Sequence, residues 1–253
     1  MQLKGKVAFI AGAGRNNGRA IALKFASEGA DLVLISRKRK EELDEVTREC
    51  EASGAKVLPV LADVSKPEEV HRATQQGLER FGKADVLVSV AGIRRHKDFW
   101  TISIEEWLEV FAVNLHSTFY LAKALAPAMM KQRSGAIIAL GGLASITSQP
   151  QRAHVVASKT GLYGLIKSLA LELGPYGIRA NLIALSVIAN QRLNPEWYPE
   201  TGGDPRTNAD IQSTALRREG TREEVANVAL FLASSQSSYV TGDRIICAGG
   251  KYM

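Results

Sequence analysis

Short, unbroken apolar runs alternate along the chain with longer stretches in which apolar positions recur every three or four residues. The runs Val7–Ala11, Leu32–Ile35, Val57–Leu61, Val86–Val90, Ala136–Leu140, Arg179–Ala184 and Arg244–Cys247 read as strands. Helical spacing covers residues 17–28, 40–53, 67–81, 104–131, 154–174 and 222–234. The strands are rich in Val, Ile and Leu with little in–out alternation, the pattern of strands buried on both faces. Strand–helix alternation of this kind predicts an α/β chain: a parallel sheet of about seven strands, doubly wound, with helices on both faces. No linker or repeat interrupts residues 1–253, so a single domain is expected.

One stretch breaks the rhythm. Residues 190–215 carry Pro195, Pro199, Gly202, Gly203 and Pro205 among polar residues, with Trp197 and Tyr198 between them. A connection this long after a strand end is usually functional, and it is read as a substrate lid.

Composition narrows the class. Hydrophobic residues make up 45% and charged residues 23%, as in an ordinary globular protein. The net charge of +6 is modest, and the basic residues are scattered rather than gathered on one face, which favours a small anionic partner over nucleic acid. Cys50 and Cys247 are far apart and read as structural thiols, and no metal cluster stands at recognisable spacing. The first residues run straight into a strand without an apolar leader, and no apolar run has the length of a membrane span. A cytoplasmic protein is the expectation.

The first strand leads into Gly12-Ala13-Gly14-Arg15-Asn16-Asn17-Gly18, which opens a helix. A pyrophosphate needs a tight turn, backbone without Cβ beneath it and a helix N-terminus with free N–H groups. Strand, glycine turn and helix in that order predict a Rossmann-type dinucleotide site.

With these motifs in place the whole chain resembles the short-chain dehydrogenase/reductases. Gly12 and Gly18 match the outer glycines of that family's turn. Asn16 holds the middle place, and asparagine tolerates left-handed backbone. Asp63-Val64 after the third strand, Ala91-Gly92 after the fourth, Asn114, Ile188, the run Tyr239-Val240-Thr241-Gly242 and the pair Gly249-Gly250 also fit, while Asn190 stands where the family usually has threonine. The resemblance implies a nicotinamide cofactor held by Gly12, Gly14, Arg15, Asn16, Asn17, Gly18, Ser36, Arg37, Asp63, Val64, Ala91, Gly92, Lys159, Ile188 and Asn190. At the end of the second strand, Ser36 and Arg37 replace the acidic residue that would bond a free ribose hydroxyl. A hydroxyl beside a guanidinium fork suits a 2′-phosphate, so NADP(H) is expected over NAD. Lys38, Arg39 and Lys40 are read as solvated.

The same resemblance locates a gap. Family members reduce carbonyls with a serine, a tyrosine thirteen residues later and a lysine four beyond it. Lys159 matches the lysine, and Asn114 the accompanying asparagine, but Val155 and Gly142 stand where tyrosine and serine belong. Ser89-Val90 and Leu185-Ser186 depart from the family nearby. Substitute proton donors are sought in His154, His96 and Ser145, while Arg94, Arg95 and Arg192 suggest an anionic substrate. Three functions compete: an oxidoreductase on a carbonyl/alcohol pair with an atypical donor, a non-redox enzyme, and a catalytically impaired pseudoenzyme. The family's assembly implies a homo-oligomer, a tetramer for preference, packed through residues 104–131 and 154–174.

Overall fold

The computed structural model describes residues 1–191 and 208–252. Seven strands, β1 (Val7–Ala11), β2 (Asp31–Ser36), β3 (Val57–Leu61), β4 (Val86–Ser89), β5 (Gly135–Leu140), β6 (Ile178–Leu185) and β7 (Arg244–Cys247), form one sheet in the order β3-β2-β1-β4-β5-β6-β7. Every pairing is parallel. The helices are α1 (Asn16–Ser27), α2 (Lys40–Ala52), α3 (Pro67–Phe81), α4 (Ile104–Phe111), α5 (Ser117–Gln132), α6 (Ala153–Leu173), α7 (Asn208–Gln212) and α8 (Arg222–Ala233).

The missing alternation in the strands has a direct cause. In β1, Ala8 and Ile10 face a core shared with α1, α2 and α8, while Val7, Phe9 and Ala11 face a second core shared with α3, α5 and α6. All five residues are buried, so every position along the strand must be apolar. Chain order reverses beside β1: β2 lies on one side and β4 on the other. At such a switch point the following loops diverge and leave a crevice at the carboxyl ends of the strands.

Two departures from the sequence reading bear on the site. The helix expected over 104–131 is interrupted by a π-helical turn at Ala112–His116, which carries Asn114. One extra residue in the turn re-aims a side chain, and such turns gather at functional sites. The second concerns residues 190–215. Their later part contains the short helix α7, and Leu216 N–H then donates to Gly249 O at 3.2 Å. The lid expectation, with Arg192, Trp197 and Tyr198, rests mostly on residues 192–207, outside the described residues. Among the described residues no helix is long and apolar enough to cross a membrane.

Candidate active site

The glycine turn is built by steric exclusion. Gly12 takes φ +88°, and a Cβ there would come within 2.9 Å of Ala91 N, the loop after β4. At Gly18 a Cβ would lie 1.9 Å from Gly12 O, so the first turn of α1 can pack on the turn leaving β1 only without one. Gly12 and Ala13 donate their N–H groups to Ile35 O, tying the turn to β2. Asn16 adopts φ +49°, the left-handed conformation expected of it. Its amide adds what glycine lacks: Nδ2 donates to Gln191 O at 3.1 Å and Oδ1 accepts from Gln191 N–H at 3.0 Å. The turn is thereby fastened to the chain leaving β6.

At the end of β2, Ser36 Oγ lies 3.2 Å from where a Gly14 Cβ would stand. Arg37 is half exposed and 3.8 Å from the Asp63 carboxylate. Burial alone would raise the Asp63 pKa, but the hydroxyl and N–H of Ser65, with Arg37, hold it below the usual range. Val64 beside it is buried. Arg39 and Lys40 pair with Glu42 and Asp44 at the surface, consistent with a solvated reading of that part of the cluster.

A cavity of about 480 Å³ opens at the carboxyl ends of the central strands. Asn17, Val90, Gly92, Leu140, Gly142, Val155, Lys159, Ile188 and Asn190 are among the residues that line it, bringing together five segments of the sequence. Lys159 is buried on α6 and donates from Nζ to Leu140 O at 2.9 Å. Desolvation lowers its pKa from 10.5 to about 8. Asn114 Nδ2 donates to Ile93 O and to Ser158 Oγ, and Oδ1 accepts from Ile93 N–H at 2.8 Å. The π-helical turn thus pins the loop after β4 beside the lysine. A Cβ on Gly92 would stand 3.3 Å from Asn114 Oδ1 and 3.4 Å from Lys159 Nζ.

A dinucleotide makes demands that can be set against this geometry. It needs a Cβ-free cradle, which Gly12 and Gly18 supply. It also carries donors at its amide and hydroxyl groups. Two cavity-lining acceptors, Asn17 Oδ1 and Asn190 Oδ1, are buried with no hydrogen-bond partner. Buried acceptors are rarely left so, and a bound polar molecule would satisfy them. The residues present fit the group.

Of the suggested substitute donors, none faces the cavity. His154 is fully buried on α6, with Nε2 3.5 Å from Glu106 on α4; one residue along a helix turns the side chain by about 100°, which takes it away from Val155. Burial lowers its pKa, against the pull of Glu106. His96 Nε2 accepts from Arg152 Nε at 2.9 Å. Burial, then the charges of Arg152 and Arg94, push its pKa down to about 4, so the ring stays neutral near pH 7. Ser145 spends its hydroxyl proton on Gly142 O at 2.8 Å. Arg95 turns to Glu109 and Glu106, whereas Arg94 lines the cavity.

The sequence reading passed over Gln149, Arg152, Asp210 and Lys251, all of which line the cavity. Arg152 bonds Gln149 as well as His96. Lys251 Nζ lies 2.5 Å from Asp210 Oδ1, closing the C-terminal end of the chain onto α7. The polar run before α6 was a usable signal for the first two. Nothing local marks the last two, which meet only in the fold.

Comparison with known proteins agrees with this construction. A family profile described as enoyl-(acyl carrier protein) reductase matches residues 12–251. The chain belongs to the short-chain dehydrogenase/reductase family. It is 36% identical over 252 residues to the 3-oxoacyl-[acyl-carrier-protein] reductase FabG of Thermotoga maritima, covering 99% of each. Among solved structures it superposes on levodione reductase with a TM-score of 0.92 at 29% identity, covering 98% of each chain. NAD+-bound xylitol dehydrogenase gives 0.91 at 28% identity, with 99% of this chain and 100% of that one covered.

Proposed function

We propose that this protein is a cytoplasmic NADP(H)-dependent oxidoreductase acting on a small anionic carbonyl/alcohol substrate, with a proton donor other than the family's serine–tyrosine pair. The observation that carries the reading is the cavity at the strand ends: two unpartnered acceptors, Asn17 Oδ1 and Asn190 Oδ1, and a buried lysine line it, and Asn17 adjoins Gly18 of the tightly packed glycine turn. Relatives are named as reductases or dehydrogenases, and one neighbour is NAD+-bound, which supports nicotinamide chemistry. Ser36 and Arg37 at the end of β2 support the phosphorylated form. Arg94 and Arg152 on the cavity wall support an anionic substrate.

Gly12, Gly14, Asn17, Gly18 and the N-terminus of α1 would hold the pyrophosphate. Asp63 and Val64 would flank the adenine, and Asn114, Lys159, Ile188 and Asn190 would border the nicotinamide half. When bound, the nicotinamide supplies or takes up the hydrogen and electron pair of the redox step. Asn114 keeps the loop after β4 in place, and the apolar side chains of Val90, Val155 and Leu185 in the cavity lining would help to exclude water from a reacting carbon. We also propose a homotetramer packed through α4–α5 and α6; the exposed Ile104, Leu108 and Phe119 support such a face.

The test is equilibrium titration with NADPH and NADH, followed by absorbance assays over a panel of keto acids and their esters. Tighter NADPH binding with keto-acid-dependent loss of NADPH absorbance is the expected result. Product formed with no absorbance change would replace this reading with non-redox chemistry. Binding without any turnover would favour a pseudoenzyme.

A further inference from the structure

We propose that the Lys159 ammonium is itself the acid that protonates the substrate oxygen, the task performed by a tyrosine hydroxyl in most of the family. The inference rests on the redox reading above and names the donor that reading leaves open.

It begins with elimination. Among the described residues lining the cavity, the titratable side chains are Arg94, Arg152, Lys159, Asp210 and Lys251. A guanidinium does not give up its proton in proteins. Asp210 and Lys251 are held to each other. His96, His154 and Ser145 face elsewhere, as described. Lys159 is left.

Geometry supplies the positive case. Val155 and Lys159 are four residues apart on α6 and therefore share a face, so the ammonium sits one helical turn behind the valine. A Cβ added at Gly142 meets nothing nearer than Leu185 O at 3.6 Å. Where two hydroxyl-bearing side chains would otherwise stand, the wall is an isopropyl group and bare backbone. An ammonium carries three N–H donors, and Leu140 O takes one of them. Gly92, lacking a Cβ, packs the loop after β4 close against Nζ, and both residues line the cavity.

The charged groups sharing the cavity come from each element around it: Arg94 after β4, Arg152 before α6, Asp210 on α7 and Lys251 near the C-terminus. Desolvation alone accounts for the lowered pKa of Lys159, about 8, which leaves it mostly protonated at neutral pH and a competent acid there. In the reductive direction the carbonyl carbon would gain a hydride, the C–H bond broken being that of the reduced nicotinamide, which is left oxidised, while the C=O π pair moves onto oxygen. One N–H bond of Lys159 breaks, its proton bonds to that oxygen, and its electron pair stays on the amine. The amine then regains a proton from bulk solution, so each reduction consumes one proton.

Two measurements test this. The first, on cofactor-free protein, follows competitive acetylation of Lys159 by acetic anhydride against pH, read by mass spectrometry. A midpoint near 8 is expected, and one above 10 overturns the proposal. The second is the pH profile of NADPH-driven reduction, with NADPH affinity measured alongside. Wild-type kcat should fall about tenfold per pH unit above 8. Lys159→Arg, which keeps the charge but not a transferable proton, should lower kcat at saturating NADPH by about 10²–10⁴-fold and abolish the break at 8. Lys159→Met serves if the arginine is not accommodated. A break at 8 that persists in either variant, or a rate within threefold of wild type, overturns the assignment of the donor. Failure of NADPH to bind at all overturns the redox reading instead, and the acetylation midpoint is still obtained.

Discussion

The two halves of the proposed dinucleotide site are made of different material. At the phosphate end the geometry is written in backbone: a Cβ at Gly12 or Gly18 would collide with main-chain atoms at 2.9 and 1.9 Å. At the reacting end it is written in side chains, and a Cβ at Gly142 would touch nothing closer than 3.6 Å. A site enforced by the chain's own packing cannot drift without damaging the fold. A site made by projecting groups can lose them while the fold stays intact. On the proposed reading, that asymmetry would account for a chain that keeps its family's nucleotide cradle while Gly142 and Val155 stand at the reacting end.

The comparison can be broken most forcefully at Gly18. Gly18→Ala should weaken NADPH binding by about 100-fold or more, roughly 2.7 kcal/mol, and lower unfolding stability by about 1–3 kcal/mol through overpacking. Fluorescence titration and denaturant melts measure both. Unchanged NADPH affinity would show that the cradle is not the binding surface.

Lys159 offers the next largest effect and a definite sign. Its pKa is depressed in the folded protein, from 10.5 to about 8. Below pH 8 it is charged in both states and the folded form carries the whole desolvation cost. Between about 8 and 10.5 the folded form binds fewer protons, so stability rises with pH. Lys159→Met should therefore stabilise the protein at pH 6–7 by roughly 1–3 kcal/mol at 1.36 kcal/mol per pKa unit. The advantage should shrink as pH approaches 10. Paired urea melts at the two pH values decide it, and a destabilised variant at pH 6 contradicts the burial argument.

Cofactor choice should be easier to move. Ser36→Asp places a carboxylate where a 2′-phosphate would sit and should shift the NADPH/NADH affinity ratio toward NADH by about tenfold, near 1.4 kcal/mol. Competitive titration reads the ratio; no shift would remove Ser36 from the ribose site. The smallest effect should come from Gly142→Ser. The open surroundings predict a stability change within about 0.5 kcal/mol, and a larger loss in a denaturant melt would show that the glycine is sterically required after all.

Much of this was legible in the chain. Unbroken apolar strands marked a sheet covered on both faces, and the predicted strand ends fall within one residue of those observed. The left-handed Asn16 followed from its chemistry and from its place in a glycine turn. The misreadings share a cause, which is side-chain direction set by distant partners. His96 looked available until Arg152, 56 residues away, was seen to occupy its ring nitrogen. His154 looked adjacent to the vacancy, but the helix points it at Glu106. The π-helical turn around Asn114 was invisible because its apolar spacing continues that of the helices on either side. Lys251 and Asp210 meet across 41 residues, a separation no local pattern records.

The most direct measurement is one NADPH titration across three proteins: wild type, Gly12→Ala and the double variant Gly142→Ser/Val155→Tyr. Wild type and double variant should bind within threefold of each other, while Gly12→Ala should lose about tenfold or more, some 1.4 kcal/mol. If wild type does not bind NADPH, or if the double change at the reacting end costs more affinity than the single change in the cradle, the division between the two ends is contradicted.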